Sequence, residues 1–153
     1  MKLREMHDFV NAELESLEQA VFEIESIRSD FKNSTPNARE LAATGLFLSN
    51  LYGGIENILK RIAQFHDIPL PVGPNWHIEL IHLFSTDGQP ELPTLIDFTL
   101  SAELAPYRRF RHVVHHGYAY QLKWHHTQPG VDGANSLFGA FRSRVNDYLN
   151  GVS

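Results

Sequence analysis

Residues 2 to 32 contain neither proline nor glycine. Through them Leu3, Met6, Val10, Leu14, Leu17, Val21, Ile24, Ile27 and Phe31 recur at gaps of three and four. An α-helix gathers that spacing onto one face, because its 3.6-residue turn brings i, i+3, i+4 and i+7 together. Glu13, Glu15, Glu18, Glu23 and Glu25 fall between the apolar positions and give an acidic outer face. At 1.5 Å per residue such a helix is about 45 Å long. A stripe of that length is buried only against other long helices, so the chain is expected to be all-α, an antiparallel four-helix bundle.

The rest of the chain supplies the partners. Thr35 and Pro36 suit an N-cap and a first helical position, opening a second helix from about Asn37 to Asp67. Leu41, Phe47, Leu48, Leu51, Ile55, Ile58, Leu59 and Ile62 form its stripe. Gly45, Gly53 and Gly54 lie inside it, and glycines kept in a helix point to close approach by a neighbour. Glu56 reads as a solvated or paired carboxylate. Pro69, Pro71, Gly73 and Pro74 make a loop, after which Asn75 can cap one additional short helix from Trp76 to about Ser85. His77 and His82 fall on different faces of it. Thr94 is expected to cap a fourth segment that runs through Pro106, with a kink near Ala102 or two helices meeting there. Gly117 should stop it as a left-handed cap. Gln128-Pro129-Gly130 reads as a loop and Asp132-Gly133 as a turn, before a last helix from about Ala134 to Leu149. No strand pattern or internal repeat appears, and 153 residues fit a single domain spanning 1–153.

Composition narrows the chemistry. The absence of cysteine excludes disulfides, thiolate metal sites and a cysteine nucleophile, and it fits a reducing cytoplasm. No apolar run is long enough to span a membrane, and the charged N-terminus does not read as a signal peptide. Net charge is −5, yet Leu104 to Val131 holds no Asp or Glu while carrying Arg108, Arg109, Arg111, Lys123, His112, His115, His116, His125 and His126. A cationic island in an acidic chain focuses anionic ligands, or it pairs with the chain's own acidic helices. Arg clamps phosphate oxygens and His carries protons near neutral pH, so the island suits a phosphodiester. Phosphate-cradling glycine loops, a serine elbow and an H-E-x-x-H pair are missing. Tyr107, Phe110, Tyr120 and Trp124 interleave with the charges. RNA bases could stack on them, although Tyr107 and Phe110 also have the spacing of core residues.

Arg111-His112-Val113-Val114-His115-His116-Gly117-Tyr118 resembles the R-[polar]-x3-H-x-Y signature of HEPN-domain proteins, nearest the HepT-like toxins that pair with minimal nucleotidyltransferase (MNT-type) antitoxins. Arg111 stands at the motif Arg, His112 at the adjacent polar position, His116 at the motif His and Tyr118 at the trailing Tyr. Leu51 to Ile62 is also similar to the family's second-helix segment. The resemblance implies a HEPN-like bundle and a metal-independent endoribonuclease without cofactor, the toxin of a toxin–antitoxin pair in the cytoplasm. Arg111 would hold the scissile phosphate and His116 would move a proton. Arg108 and Arg109 read, by their charge, as phosphate (RNA) or partner contacts or as solvated residues, whereas the resemblance would have His112 and Tyr118 support that chemistry and Tyr118 be the residue an antitoxin adenylylates. It further implies a homodimer with two motifs facing one cleft, and an MNT-type nucleotidyltransferase as partner.

Two other readings use the same residues. One is a non-catalytic helical module that binds a nucleotide or a nucleotidyltransferase. The other is a metal enzyme, because His112, His115 and His116 lie at i, i+3 and i+4 on one helical face. Arg111 and His116, five positions apart, are about 140° apart around an ideal helix. A helix end at Gly117, or a second subunit, would be needed to bring them together.

Overall fold

The computed structural model describes residues 1–117 and 121–153. Tyr118 and Tyr120 lie outside the described residues. Five α-helices follow in order: α1 Leu3–Asp30, α2 Ala38–Phe65, α3 Trp76–Leu83, α4 Phe98–His116 and α5 Trp124–Gly151. The long helices form an all-α bundle, as the first helix predicts, and α3 is the additional short one. No helix among the described residues is long and apolar enough to cross a membrane.

Contacts between neighbouring helices run in opposite numerical order, which fixes the antiparallel arrangement. Between α1 and α2, Leu17 faces Gly54 and Phe9 faces Arg61. Between α1 and α5, Arg28 faces Asp132 and Glu18 faces Arg142. Between α2 and α4, Ser49 faces His115 and Glu56 faces Arg111. Between α4 and α5, Tyr107 faces Gly130 and Asp97 faces Arg144. The core is the α1 stripe from Met6 to Ile24 interleaved with Leu48 to Ile62, Leu100 to Phe110 and Val131 to Leu149. Tyr107 and Phe110 are buried in it, as their spacing allows.

Gly54 is needed for the α1–α2 approach: a Cβ there would fall 2.3 Å from Leu17 Cδ2. Gly45 is similarly close to Leu122, whereas Gly53 faces open space and serves no such contact.

The structure moves several boundaries. α2 is capped by Asn37, not Thr35. The Asn37 side chain accepts from the Glu40 amide, and the Asn37 amide donates to the Glu40 side chain, each at 2.9 Å. This reciprocal box satisfies two backbone donors at once, which a Thr35–Pro36 start could not do. Asn75 precedes α3 without a side-chain capping bond. α4 begins at Phe98 under an Asp97 cap, whose carboxylate accepts from the Leu100 amide at 2.8 Å. Leu95 and Ile96 are withheld from the helix because both amides donate to the Phe84 carbonyl. α4 is one continuous helix through Pro106. Ala102, whose carbonyl loses its usual donor there, is exposed, so water can take the donor's place.

Gly117 adopts φ −120° and ψ −168°, extended backbone and not a left-handed cap. The largest change is α5, which starts ten residues before Ala134 and absorbs Gln128-Pro129-Gly130, Asp132-Gly133, His125 and His126. Packing overrides local turn chemistry here. A Cβ at position 130 would fall 2.5 Å from the Phe110 ring, and the Tyr107 hydroxyl donates to the Gly130 carbonyl at 2.6 Å. Burial, with Glu103 and Asp132 nearby, raises the Tyr107 pKa and keeps that hydroxyl a donor.

Candidate active site

α4 carries the cationic residues, and its face toward α3 opens onto a cleft of about 370 Å³. Arg108, Arg109, Arg111, His112 and His116 border it from α4, and His77 borders it from α3. Among the described residues its lining includes no Asp or Glu. An anion placed there meets a high local density of positive charge. His112 and His116 stand one turn apart with ring centroids separated by 5.0 Å. α4 ends at Gly117, as expected, with His116 its last helical residue, and within one chain His116 and Arg111 border the same cleft. The length of the Arg111 side chain bridges the angular gap.

Arg111 reaches both sides of α4. It also borders a second groove, about 510 Å³, between α1, α2 and α4. That groove contains Glu13, Glu23, Asn50, Asn57 and Lys60. His115 belongs to it, where its Nε2 lies 3.2 Å from Ser49 Oγ. His115 is therefore separated from His112 and His116, and the three do not converge on one point.

Between the two openings lies Glu56, only 2% exposed. A bare carboxylate at that depth would be strongly unfavourable. Two partners compensate it: Arg111 Nε at 3.4 Å from Oε1, and His77 Nδ1, hydrogen-bonded to Oε2. The His77 Nε2 in turn lies 3.4 Å from an Arg111 terminal nitrogen. Arginine has only donors, so Nε2 accepts and the imidazole proton sits on Nδ1, donating to Glu56. The Arg111 guanidinium also lies 5.9 Å from the Trp76 ring centroid, and Lys60 Nζ 4.2 Å from it on another approach.

Tyr52, one turn before Glu56 on α2, is fully buried, and its hydroxyl has no hydrogen bond of ordinary geometry among the described residues. Burial first, and the Glu56 charge second, raise its pKa far above the ordinary phenol value. Arg108 and Arg111 pull it part of the way back.

The structure thus gathers Arg108, Arg109, Arg111, His112 and His116 at one cleft. Glu56, readable beforehand as a solvated or paired carboxylate, proves buried and paired, and its partner His77 was read only as lying on a different face of α3 from His82. Glu56 did carry a signal, since it is a carboxylate inside an otherwise apolar helical stripe. His77 carried none, because only the packing of α3 on α2 brings it to Glu56.

A family model described as HepT-like protein matches residues 43–152, from α2 to the end of α5. No curated protein and no solved structure matches the chain.

Proposed function

The chain belongs to the HepT-like family, and from that premise we propose that residues 1–153 form a single HEPN-type domain acting as a metal-independent endoribonuclease, the toxin of a toxin–antitoxin pair. The observation that carries this reading is the assembly of Arg111, His112 and His116 with Arg108 and Arg109 around one cationic cleft. RNA supplies its own nucleophile in the 2′-hydroxyl, so the protein needs to bind the phosphate, stabilise added charge and move protons. Arg111 clamps the scissile phosphate, and its planar fork matches two phosphate oxygens. Arg108 and Arg109 hold flanking phosphates. The 2′-oxygen attacks phosphorus, the bond to the 5′-oxygen breaks, and His116 carries a proton in that exchange. The products are a 2′,3′-cyclic phosphate and a 5′-hydroxyl. His112, its ring centroid 5.0 Å from that of His116, supports the phosphate.

In the same reading the protein works in the cytoplasm as a homodimer, and an MNT-type nucleotidyltransferase antitoxin silences it by adenylylating Tyr118. The test is cleavage of single-stranded RNA in the presence of a chelator. Wild-type protein is expected to cleave RNA and to spare the all-deoxy analogue, and His116→Ala is expected to cleave RNA far more slowly. Equal cleavage by wild type and His116→Ala would overturn the assignment. A second reading, a non-catalytic module that binds a nucleotide or the nucleotidyltransferase, draws support from one fact: Arg111 already has partners in Glu56 and His77. Binding of RNA or of such a partner with no cleavage product under any condition would favour it.

A further inference from the structure

We propose that His77, oriented by the buried Glu56 carboxylate, is the general base that takes the proton from the RNA 2′-hydroxyl, an assignment that rests on the ribonuclease reading above. Transesterification needs two proton movements: one off the attacking 2′-oxygen and one onto the leaving 5′-oxygen. Two imidazoles in one cleft can divide that work, and His77 and His116 border the same cleft with the Arg111 guanidinium.

The surroundings of the two rings decide which does which. His77 donates from Nδ1 to Glu56, so Nε2 presents a lone pair. A carboxylate on the far nitrogen fixes that tautomer and stabilises the imidazolium formed when Nε2 accepts a proton. His116 has no carboxylate partner among the described residues. Its close neighbour is the His112 ring, and it stands on the strongly cationic wall. That leaves His116 to donate to the 5′-oxygen.

The balance is complete. The 2′-hydroxyl proton goes to His77 Nε2, the 2′-oxygen bonds to phosphorus, the P–O5′ bond breaks with its electron pair on oxygen, and the His116 proton goes to that oxygen. Hydrolysis of the cyclic product runs the two transfers in reverse with water. Arg111 couples binding to base activation. In the free protein its terminal nitrogen lies against His77 Nε2 at 3.4 Å and its Nε against Glu56. A phosphate that draws the guanidinium into the cleft removes the donor from Nε2 and exposes the lone pair. Glu56 touches neither substrate nor reacting atoms in this scheme and acts as a positioning residue.

The experiment compares wild type, His77→Asn and His116→Ala on two substrates: a diribonucleoside phosphate, and uridine 3′-(4-nitrophenyl phosphate). The nitrophenolate of the second leaves without protonation, so that substrate needs a base but no acid. His77→Asn keeps a donor toward Glu56 and removes Nε2. It is expected to lose on the order of 10²-fold or more in kcat on both substrates with KM little changed. His116→Ala is expected to lose comparably on the dinucleotide and to recover on the nitrophenyl ester. His77→Gln serves as a second variant should His77→Asn fold poorly, and thermal melts report folding of both.

Wild-type rates for a folded His77 variant on the nitrophenyl ester would overturn the base assignment and leave the ribonuclease reading standing. So would the exchanged pattern, with His116→Ala slow on both substrates and the His77 variant rescued by the better leaving group. Cleavage of neither substrate by wild type would overturn the ribonuclease reading and this inference together.

Discussion

The two openings beside Arg111 differ in one respect that matters for a polyanion. The cleft toward α3 is lined by Arg108, Arg109, Arg111, His77, His112 and His116 with no described carboxylate. The groove toward α1 is the larger, yet it sets Glu13, Glu23 and Glu56 against Lys60, Arg111 and His115. Size would choose the second and charge chooses the first. A phosphodiester entering the α1 groove meets repulsion from the acidic outer face of the first helix, whereas the α3 cleft offers several donors with no competing carboxylate among the described residues. The same helix, α4, builds both walls, so residues one position apart serve different surroundings: His116 belongs to the cationic cleft, His115 to the mixed groove.

The largest expected effect on activity and stability together breaks the comparison at the residue both openings share. Arg111→Ala removes the proposed phosphate clamp and one of the two partners of buried Glu56. Cleavage should fall on the order of 10² to 10³-fold, as for loss of a group that stabilises transition-state charge. Stability should fall by about 3 kcal/mol in urea titration, the scale for stripping a partner from a buried charge. Arg111→Lys should regain part of the stability and little of the activity, because a point charge cannot grip two phosphate oxygens. Retention of cleavage by the Ala variant would show that Arg111 serves the fold alone.

The adjacent histidines sharpen it next. His116→Ala should lower cleavage on the order of 10² to 10⁴-fold with the melting temperature nearly unchanged. His115→Ala should leave cleavage near wild type and cost at most about 1 kcal/mol through the lost Ser49 contact. A reversal of that pair would move the active cleft to the α1 side.

How much of this was legible beforehand follows the same division. Periodicity alone identified α1 and the α2 stripe, because amphipathic spacing is a local property that packing did not have to override. The family resemblance singled out Arg111, His112 and His116, since its motif lies in one stretch of chain. Tyr118, the remaining motif residue, lies outside the described residues. The start of α5 was misread because Pro129 and Gly130 carry turn chemistry locally, and only the approach of Tyr107 and Phe110 from α4 makes a helix the better solution there. The α4 cap was misplaced because Leu95 and Ile96 are claimed by the Phe84 carbonyl, a contact made across a turn. The pairing of His77 was not legible for the same reason: its partner is Glu56, 21 residues away.

Arg108 and Arg109 provide a smaller test of the α3 cleft as the RNA path. Each substitution to Gln should weaken binding of single-stranded RNA and reduce the slope of log affinity against log salt by about 0.7, the value for one phosphate contact on a single strand. Glu23→Gln in the α1 groove should leave the slope unchanged. Equal slopes for all three variants would place the RNA elsewhere.

The smallest effect lies at the α4 entrance, away from the His77 and His116 rings. The Arg144 guanidinium first, and the Leu100 amide next, hold the Asp97 carboxyl below its ordinary value of 3.8. A carboxyl whose folded pKa is depressed contributes stability above its unfolded pKa and loses it as pH falls through the folded one. Asp97→Asn retains a capping side chain and removes the charge. Its melting temperature should therefore sit slightly below wild type at neutral pH and converge with it in strong acid, below the usual carboxylate range. RNA cleavage at neutral pH should be unaltered, because Asp97 does not border the cationic cleft. A change in cleavage without a change in melting would mean that the α4 entrance communicates with that cleft, and the division between the two openings would then have to include it.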